Sequence, residues 1–286
     1  MPIMTQPGLI YDIGAHQGDD TGWYLQQGYS VIAVEANPLL AKKLENKFNL
    51  AIIEGKLTIV NVAVAEKDNE TVPFFISRED WRSSTIKDLA ERDGLIVETT
   101  EMPTARLSSL FEKYGTPHYC KIDIEGNDAQ AINSLSGKTG RPVYISCELS
   151  CASISDLHAN NSLLFKTLEA LQAAGYTYFQ LIDQDSLLQL AAGKHYSRLY
   201  NWYSRIRTKI ERVTGLFTKR YSNRHLVAKQ RKVSSDFVTA PFGEALNGKW
   251  FDYMTTRNLI QFHFNDYYRH TQNKVMTFWV DIHARS

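Results

Sequence analysis

Three acid- and glycine-bearing segments hold the residue types from which chemistry could be built. The first is Asp12-Ile13-Gly14-Ala15-His16-Gln17-Gly18, lying between an apolar run and an amphipathic stretch. Gly14 and Gly18 let backbone approach a ligand closely, and the helix that follows would aim its first amides at it. The Gly-x-Gly-x-x-Gly spacing that seats a pyrophosphate is absent; the looser loop, with an acid before it, suits a nucleoside carrying an amino-acid-like tail, although an ordinary strand-to-helix turn has the same composition. The second segment, Val34-Glu35-Ala36-Asn37-Pro38, puts an acid about twenty residues beyond the loop, where a carboxylate can hold a ribose diol; alone, it could equally cap a helix. The third is Lys121-Ile122-Asp123-Ile124-Glu125-Gly126. Its alternation sends Lys121, Asp123 and Glu125 to one side of a strand, which is costly in a buried sheet unless the charges are paired or liganded. The plainer alternative is a Lys121–Asp123 pair with Glu125 in solvent.

Ser146-Cys147-Glu148 ends a further apolar run. Asp123 and Glu148 are therefore expected at the same end of adjacent strands, where they could hold a divalent cation such as Mg2+, or one could act as a general base; a single structural carboxylate is the other reading. His16, His118, His263 and His283 are the imidazoles that could serve as bases, and His16 has the best position, inside the first loop.

These residues need a scaffold, and the chain supplies one by alternation. Apolar runs at 9–13, 31–35, 57–64, 118–124, 143–148 and 176–182 read as strands, and 19–27, 38–48, 104–114, 128–135 and 162–174 as helices. Residues 72–76 form an extended piece. Asn37 caps its helix and Pro38 occupies the first turn. Strand–helix alternation with right-handed crossovers gives a parallel, doubly wound α/β sheet. Val275 to His283 returns to strand composition and is expected to rejoin the sheet as a seventh strand. The core is then 1–184 with 275–286, and 185–274 is one long insertion, helical in its first part.

A chain of 286 residues with 43% hydrophobic content can bury one large core. Cys120, Cys147 and Cys151 lack zinc-site spacing, so reduced thiols are expected. No signal peptide and no apolar run of about eighteen residues is present, which points to a soluble, cytosolic chain, at the inner face of a membrane if its substrate is lipid-linked. The formal charge of +1 conceals an asymmetry: 198–232 carries eleven basic residues and one acid, leaving the remainder with 21 basic and 30 acidic residues.

Together, Asp12-Ile13-Gly14-Ala15-His16-x-Gly18, Glu35-Ala36-Asn37-Pro38, Asn61-Val62-Ala63-Val64, Ser83-Ser84-Thr85 and Lys121-Ile122-Asp123-Ile124-Glu125-Gly126 resemble the FkbM family of methyltransferases over about residues 8–150. The resemblance implies a class I methyltransferase (Rossmann-like) fold with seven strands, the last antiparallel. It implies S-adenosylmethionine as cofactor and O-methylation as the usual reaction, on macrolide-type products or in polysaccharide and glycolipid biosynthesis. Carried over by position, Asp12, Gly14, Ala15, His16 and Gly18 form the methionine loop, Glu35 with Ala36 holds the ribose, Asn61 and Ala63 lie near the adenine, and Asp123 borders the reacting centre. Asp123, Glu148 and His16, in that order, are the expected catalytic residues.

The basic stretch 198–232 fits a solvated surface helix, a membrane-surface helix with Tyr200, Trp202 and Tyr203 at one end, or, least well, a nucleic-acid grip. Pro241-Phe242-Gly243-Glu244 with Trp250 is expected to contribute to an acceptor lid. The acceptor is expected to be a glycan or glycolipid hydroxyl. A polyketide-type hydroxyl, an RNA methyl acceptor and a non-catalytic nucleotide-binding module are the rivals, and an oligomer is compatible with all of them.

Overall fold

The computed structural model describes residues 6–78, 83–91, 96–135, 140–149, 163–184, 188–191, 242–271 and 280–286. Seven strands form the main sheet: β1 (Gln6–Ile13), β2 (Ser30–Val34), β3 (Leu57–Val60), β7 (Pro117–Ile122), β8 (Tyr144–Glu148), β9 (Tyr178–Asp183) and β11 (Val280–Arg285). Their order is β3-β2-β1-β7-β8-β11-β9, and the two-residue β10 (Leu188–Gln189) extends the edge. β11 runs antiparallel to both β8 and β9, whereas the β3-β2-β1-β7-β8 pairs are parallel. This is the class I methyltransferase arrangement; the last strand that composition suggested over 275–283 is seen at Val280–Arg285, and it is antiparallel, as the family resemblance implied.

Central strands are buried on both sides, so they read as continuous apolar runs rather than alternating ones. One face of the sheet offers Ile10, Val31, Ala33 and Tyr119 to α1 (Asp19–Gln26) and α2 (Pro38–Lys47). The other offers Tyr11, Ile13, Ile32, Val34, Cys120 and Ile122 to α5 (Leu107–Tyr114), α6 (Asp128–Asn133), α7 (Leu163–Ala173) and α8 (Tyr253–Thr271). Tyr11 spans that second interface, its hydroxyl donating to the Leu110 carbonyl at 2.9 Å.

Several local readings change. The expected strand 57–64 breaks after Val60: β4 (Ala63–Val64) leaves the main sheet and pairs with β6 (Ile96–Ala105), which also pairs with β5 (Thr71–Ser77) in a separate three-stranded sheet. The expected helix from Thr104 begins only at Leu107, because Met102 and Thr104 alternate inward as strand residues and Arg106 is extended. Three α-helices among the described residues were not anticipated, α3 (Asn49–Ile53), α4 (Lys87–Glu91) and α8. In α8, Thr256, Leu259, Ile260, His263 and Phe264 make one buried face. Its polar members hid the period, although Asp252 starts the helix by accepting the Thr255 amide at 2.7 Å. The basic stretch 198–232, Cys151 and Pro241 lie outside the described residues.

Candidate functional site

The carboxyl ends of β1, β2 and β3 are joined through Glu35. Glu35 Oε2 accepts the amide of His16 at 2.7 Å and Oε1 accepts the amide of Asn37 at 2.7 Å, so one carboxylate fixes the loops after both β1 and β2. Asn61, just past β3, donates to the carbonyls of Glu35 (2.7 Å) and Ala36 (3.1 Å). Asn37 caps α2 as expected, accepting from Leu39 at 3.0 Å. Ala63 is buried in the core of the small sheet, where Ala36 packs against it.

The loop conformation explains its glycines. Gly14 (φ +82°) and Gly18 (φ +76°) are left-handed, and so is His16 (φ 50°), unusual for a residue with a side chain. A Cβ on Gly14 would sit 1.9 Å from the Asp123 carbonyl oxygen; on Gly18 it would meet Leu44 at 2.4 Å. The first loop therefore lies directly against the turn after β7.

Asp12 sits lower than its position in the motif implies. Its side chain is 0% exposed, and Oδ2 accepts the Thr21 hydroxyl at 2.6 Å, which ties β1 to α1. Burial pushes its carboxyl up to about 6, with Lys121 pulling the other way. Lys121 Nζ lies 3.2 Å from Asp20 Oδ2 and 3.2 Å from Asp123 Oδ2. Burial works against its charge, but Asp123, Asp20 and Asp12 outweigh it and hold the ammonium well above the usual lysine range. The Lys121–Asp123 pair is thus real, and Asp20 is a member that sequence alone did not supply; it stands in α1 as a first-turn acid.

β7 ends at Ile122, so the alternation that would align Lys121, Asp123 and Glu125 does not continue. Glu125 instead enters a left-handed turn (φ 51°). Ser84 Oγ donates to the Glu125 carbonyl at 3.1 Å and Asn127 Nδ2 donates to Thr85 Oγ1 at 2.7 Å, which gives the Ser83-Ser84-Thr85 segment a role: it pins this turn. The turn brings Glu125 round beside Asp123 and Glu148, and one carboxylate oxygen from each lies within 4.8 Å of the others. Asp123 and Glu148 do follow each other's register on adjacent strands, since Ile122 pairs with Cys147. Burial, then the charges of Asp123, Glu125, Asp128 and Asp281, push the Glu148 carboxyl well above the usual carboxylate range.

Two members of this acid group escaped the sequence reading. Asp128, 1% exposed, opens α6; burial followed by the Asp123 charge raises it to about 8. A first-turn acid normally signals only the helix dipole, so nothing marked it as buried. Asp281 on β11 stands opposite Glu148 and accepts from Gln184 at 2.6 Å. The remaining histidines are elsewhere. His118 pairs with Glu244 at 3.0 Å. His263 is buried in α8, and His283 is buried two residues further along β11 than Asp281, its imidazole lowered to about 3 by burial. His16 alone stays in the loop. Phe242 stacks on Tyr119 (4.2 Å between centroids, 10°), so it covers the sheet face over β7.

A left-handed glycine loop, an acid fixing it from the end of β2, and a group of acids after β7 and β8 are therefore contiguous. A profile of the methyltransferase FkbM domain matches residues 12–178. The chain belongs to the FkbM methyltransferase family. No curated protein matches the sequence. Among solved structures it is similar to a precorrin-6y C5,15-methyltransferase from Geobacter metallireducens (12% identity, TM-score 0.32, covering 64% of this chain and 71% of that one). It is also similar to a TehB-like SAM-dependent methyltransferase from Corynebacterium glutamicum (14%, 0.36, 66% and 77%) and an O-methyltransferase from Bacillus cereus (14%, 0.36, 61% and 66%).

An FkbM methyltransferase uses S-adenosylmethionine, and the residues present fit it. Asp12 Oδ1 is a buried acceptor with no hydrogen-bond partner, Gly14 lies where no side chain can, and Glu35 stands at the end of β2. Glu35 would hold the ribose hydroxyls, and the 14–18 loop the methionine end.

Proposed function

We propose that this FkbM methyltransferase transfers the methyl group to a hydroxyl oxygen of a sugar or glycan. The observation that carries the reading is the acid group of Asp123, Glu125 and Glu148 next to the glycine loop. The sulfonium cofactor brings an activated methyl group, so the chain must place an acceptor oxygen in line and take its proton. A hydroxyl gives up that proton reluctantly at neutral pH, and a carboxylate with a raised pKa is a stronger base than an ordinary one. Glu148 meets that condition best, Asp123 is held by Lys121 at the loop's edge, and His16 is the third choice. Neutral polyhydroxyl acceptors suit an acid-lined site, since each carboxylate can accept from a hydroxyl; a phosphate backbone would be repelled, which disfavours RNA.

The test is transfer of labelled methyl groups to a panel of sugar nucleotides, surface glycans, polyketide alcohols and RNA. Labelling of a glycan hydroxyl that falls in Glu148→Gln supports the reading; labelling of RNA or of a nitrogen acceptor alone would sink it.

A further inference from the structure

We propose that Ser146, His283 and Gln180 form a subsite for hydroxyl groups of the methyl acceptor, on the sheet face beneath a strap of residues 242–251. The three stand side by side on adjacent strands: His283 of β11 pairs with Ser146 of β8 on one side and with Gln180 of β9 on the other. Their chain neighbours Ile145, Ile282, Phe179 and Leu181 join the core on one face of the sheet, so alternation turns these three to the opposite face. Tyr119 marks that face, since its ring packs in the core there and its hydroxyl lies 2.6 Å from Ser146 Oγ.

Gln180 is 0% exposed and His283 3%. Yet among the described residues neither amide atom of Gln180, nor Nε2 of His283, has a hydrogen-bond partner. Buried polar groups are normally satisfied, so two adjacent exceptions on one face point to a ligand. A carboxamide, and an imidazole that burial keeps neutral, offer donors and acceptors without charge, which suits sugar hydroxyls rather than a phosphate or an ammonium. The row also stands at the right place. Glu148 and Asp281 are the next pair along the same two strands on the same face, roughly 7 Å away. The assignment rests on the hydroxyl-methylation reading above: with the reacting hydroxyl at Glu148, the acceptor's next hydroxyls fall on this row.

The strap crosses the face strand by strand. Phe242 stacks on Tyr119 of β7, and Gly243 lies against the Tyr144 ring of β8. The Arg285 guanidinium of β11 lies over the Trp250 ring at 4.6 Å, and Phe251 exchanges backbone hydrogen bonds with Phe179 of β9 at 2.8 Å. These rings, with Leu246 packed on Ile182, give the apolar walls that binding sites place around a few polar groups. Beyond the Phe242 stack, the leading end is tied by the His118–Glu244 pair at 3.0 Å. An exposed ion pair holds weakly, so this end can lift to admit the acceptor.

The experiment pairs binding with stability in Gln180→Leu and His283→Leu. Replacing an unpartnered buried polar group by an apolar one costs little or stabilises, so the urea midpoint should hold or rise, and S-adenosylmethionine affinity should match the parent. Saturation-transfer NMR, with the methyl glycosides of glucose, galactose and rhamnose as probes, should show at least one binding to the full chain. Each variant should weaken that binding roughly tenfold or more. Binding should also alter amide hydrogen exchange over 242–251. No binding of any probe, equal binding in both variants, or exchange over 242–251 unmoved by a bound probe overturns the subsite. A lower urea midpoint in both variants also overturns it, because the two side chains would then have partners within the fold. Sugar binding that needs Gln180 and His283, with no methyl transfer to any hydroxyl, leaves the subsite standing and removes the hydroxyl-methylation reading. Methyl transfer to a glycan with the acceptor KM unchanged in both variants removes the subsite alone.

Discussion

Glu35 shows how much one side chain can decide. Both its oxygens accept backbone amides, of His16 and of Asn37, so it shapes the loops after β1 and β2. Glu35→Ala should weaken S-adenosylmethionine by roughly tenfold to a hundredfold, the worth of one or two charge-assisted hydrogen bonds. Calorimetry reads this directly, and an unchanged affinity would refute the ribose assignment. Glu148→Gln keeps shape and removes basicity; kcat should drop by about 10²–10⁴ while the cofactor affinity holds. A comparable loss in cofactor affinity would mean instead that Glu148 supports the loop.

At the scale of elements, the site depends on two loops pressed together with no room between them. Gly14→Ala must displace the Asp123 carbonyl and also place an alanine at φ +82°. A loss of at least about 1–3 kcal/mol in unfolding free energy is expected, together with loss of cofactor binding. A variant of parent stability in urea titration would contradict the close approach. Phe242 is far along the chain from β7 and α1 yet stacks on Tyr119 and meets Tyr24 edge-on at 5.3 Å. Phe242→Ala should cost about 1 kcal/mol or more in stability. If the melting temperature is unchanged, the stack contributes nothing in solution.

At the scale of the molecule, the buried acids make stability pH-dependent. In the unfolded chain Asp128 ionises near 3.8, whereas in the fold it keeps its proton to about 8. The folded state therefore binds more protons between those values, and stability falls as pH rises from about 4 to about 8. Asp12 adds the same sign from about 4 to about 6. In cation-free buffer the urea midpoint should be lower at pH 8 than at pH 5, and Asp128→Asn should flatten that decline; an equally steep decline in the variant would place its origin elsewhere. Charge is also unevenly spread along the chain, with eleven of the 32 basic residues in 198–232. If that stretch meets an anionic membrane, sedimentation with phosphatidylserine vesicles should weaken in the Arg205, Arg207, Lys209 triple alanine variant; equal pelleting would remove the idea. Among the described residues no helix is long and apolar enough to cross a membrane.

The order of strands and helices, the loop glycines, Glu35, and the pairing of Asp123 with Glu148 by register were all legible from the sequence. Each rests on a local rule: apolar runs in a doubly buried sheet, left-handed turns that favour glycine, and acids at strand ends. The sequence likewise marked Ser83-Ser84-Thr85 without saying what it does. Tertiary structure decided the rest, because it concerns residues distant in the chain. Only folding shows that β4 leaves the sheet at Asn61, that Asp20 of α1 shares Lys121, and that a turn after β7 carries Glu125 round to Glu148. Asp128 looked like an ordinary helix-start acid until α6 packed against α7 and closed water away from it. Burial is a property of what lies opposite, and no local pattern states it.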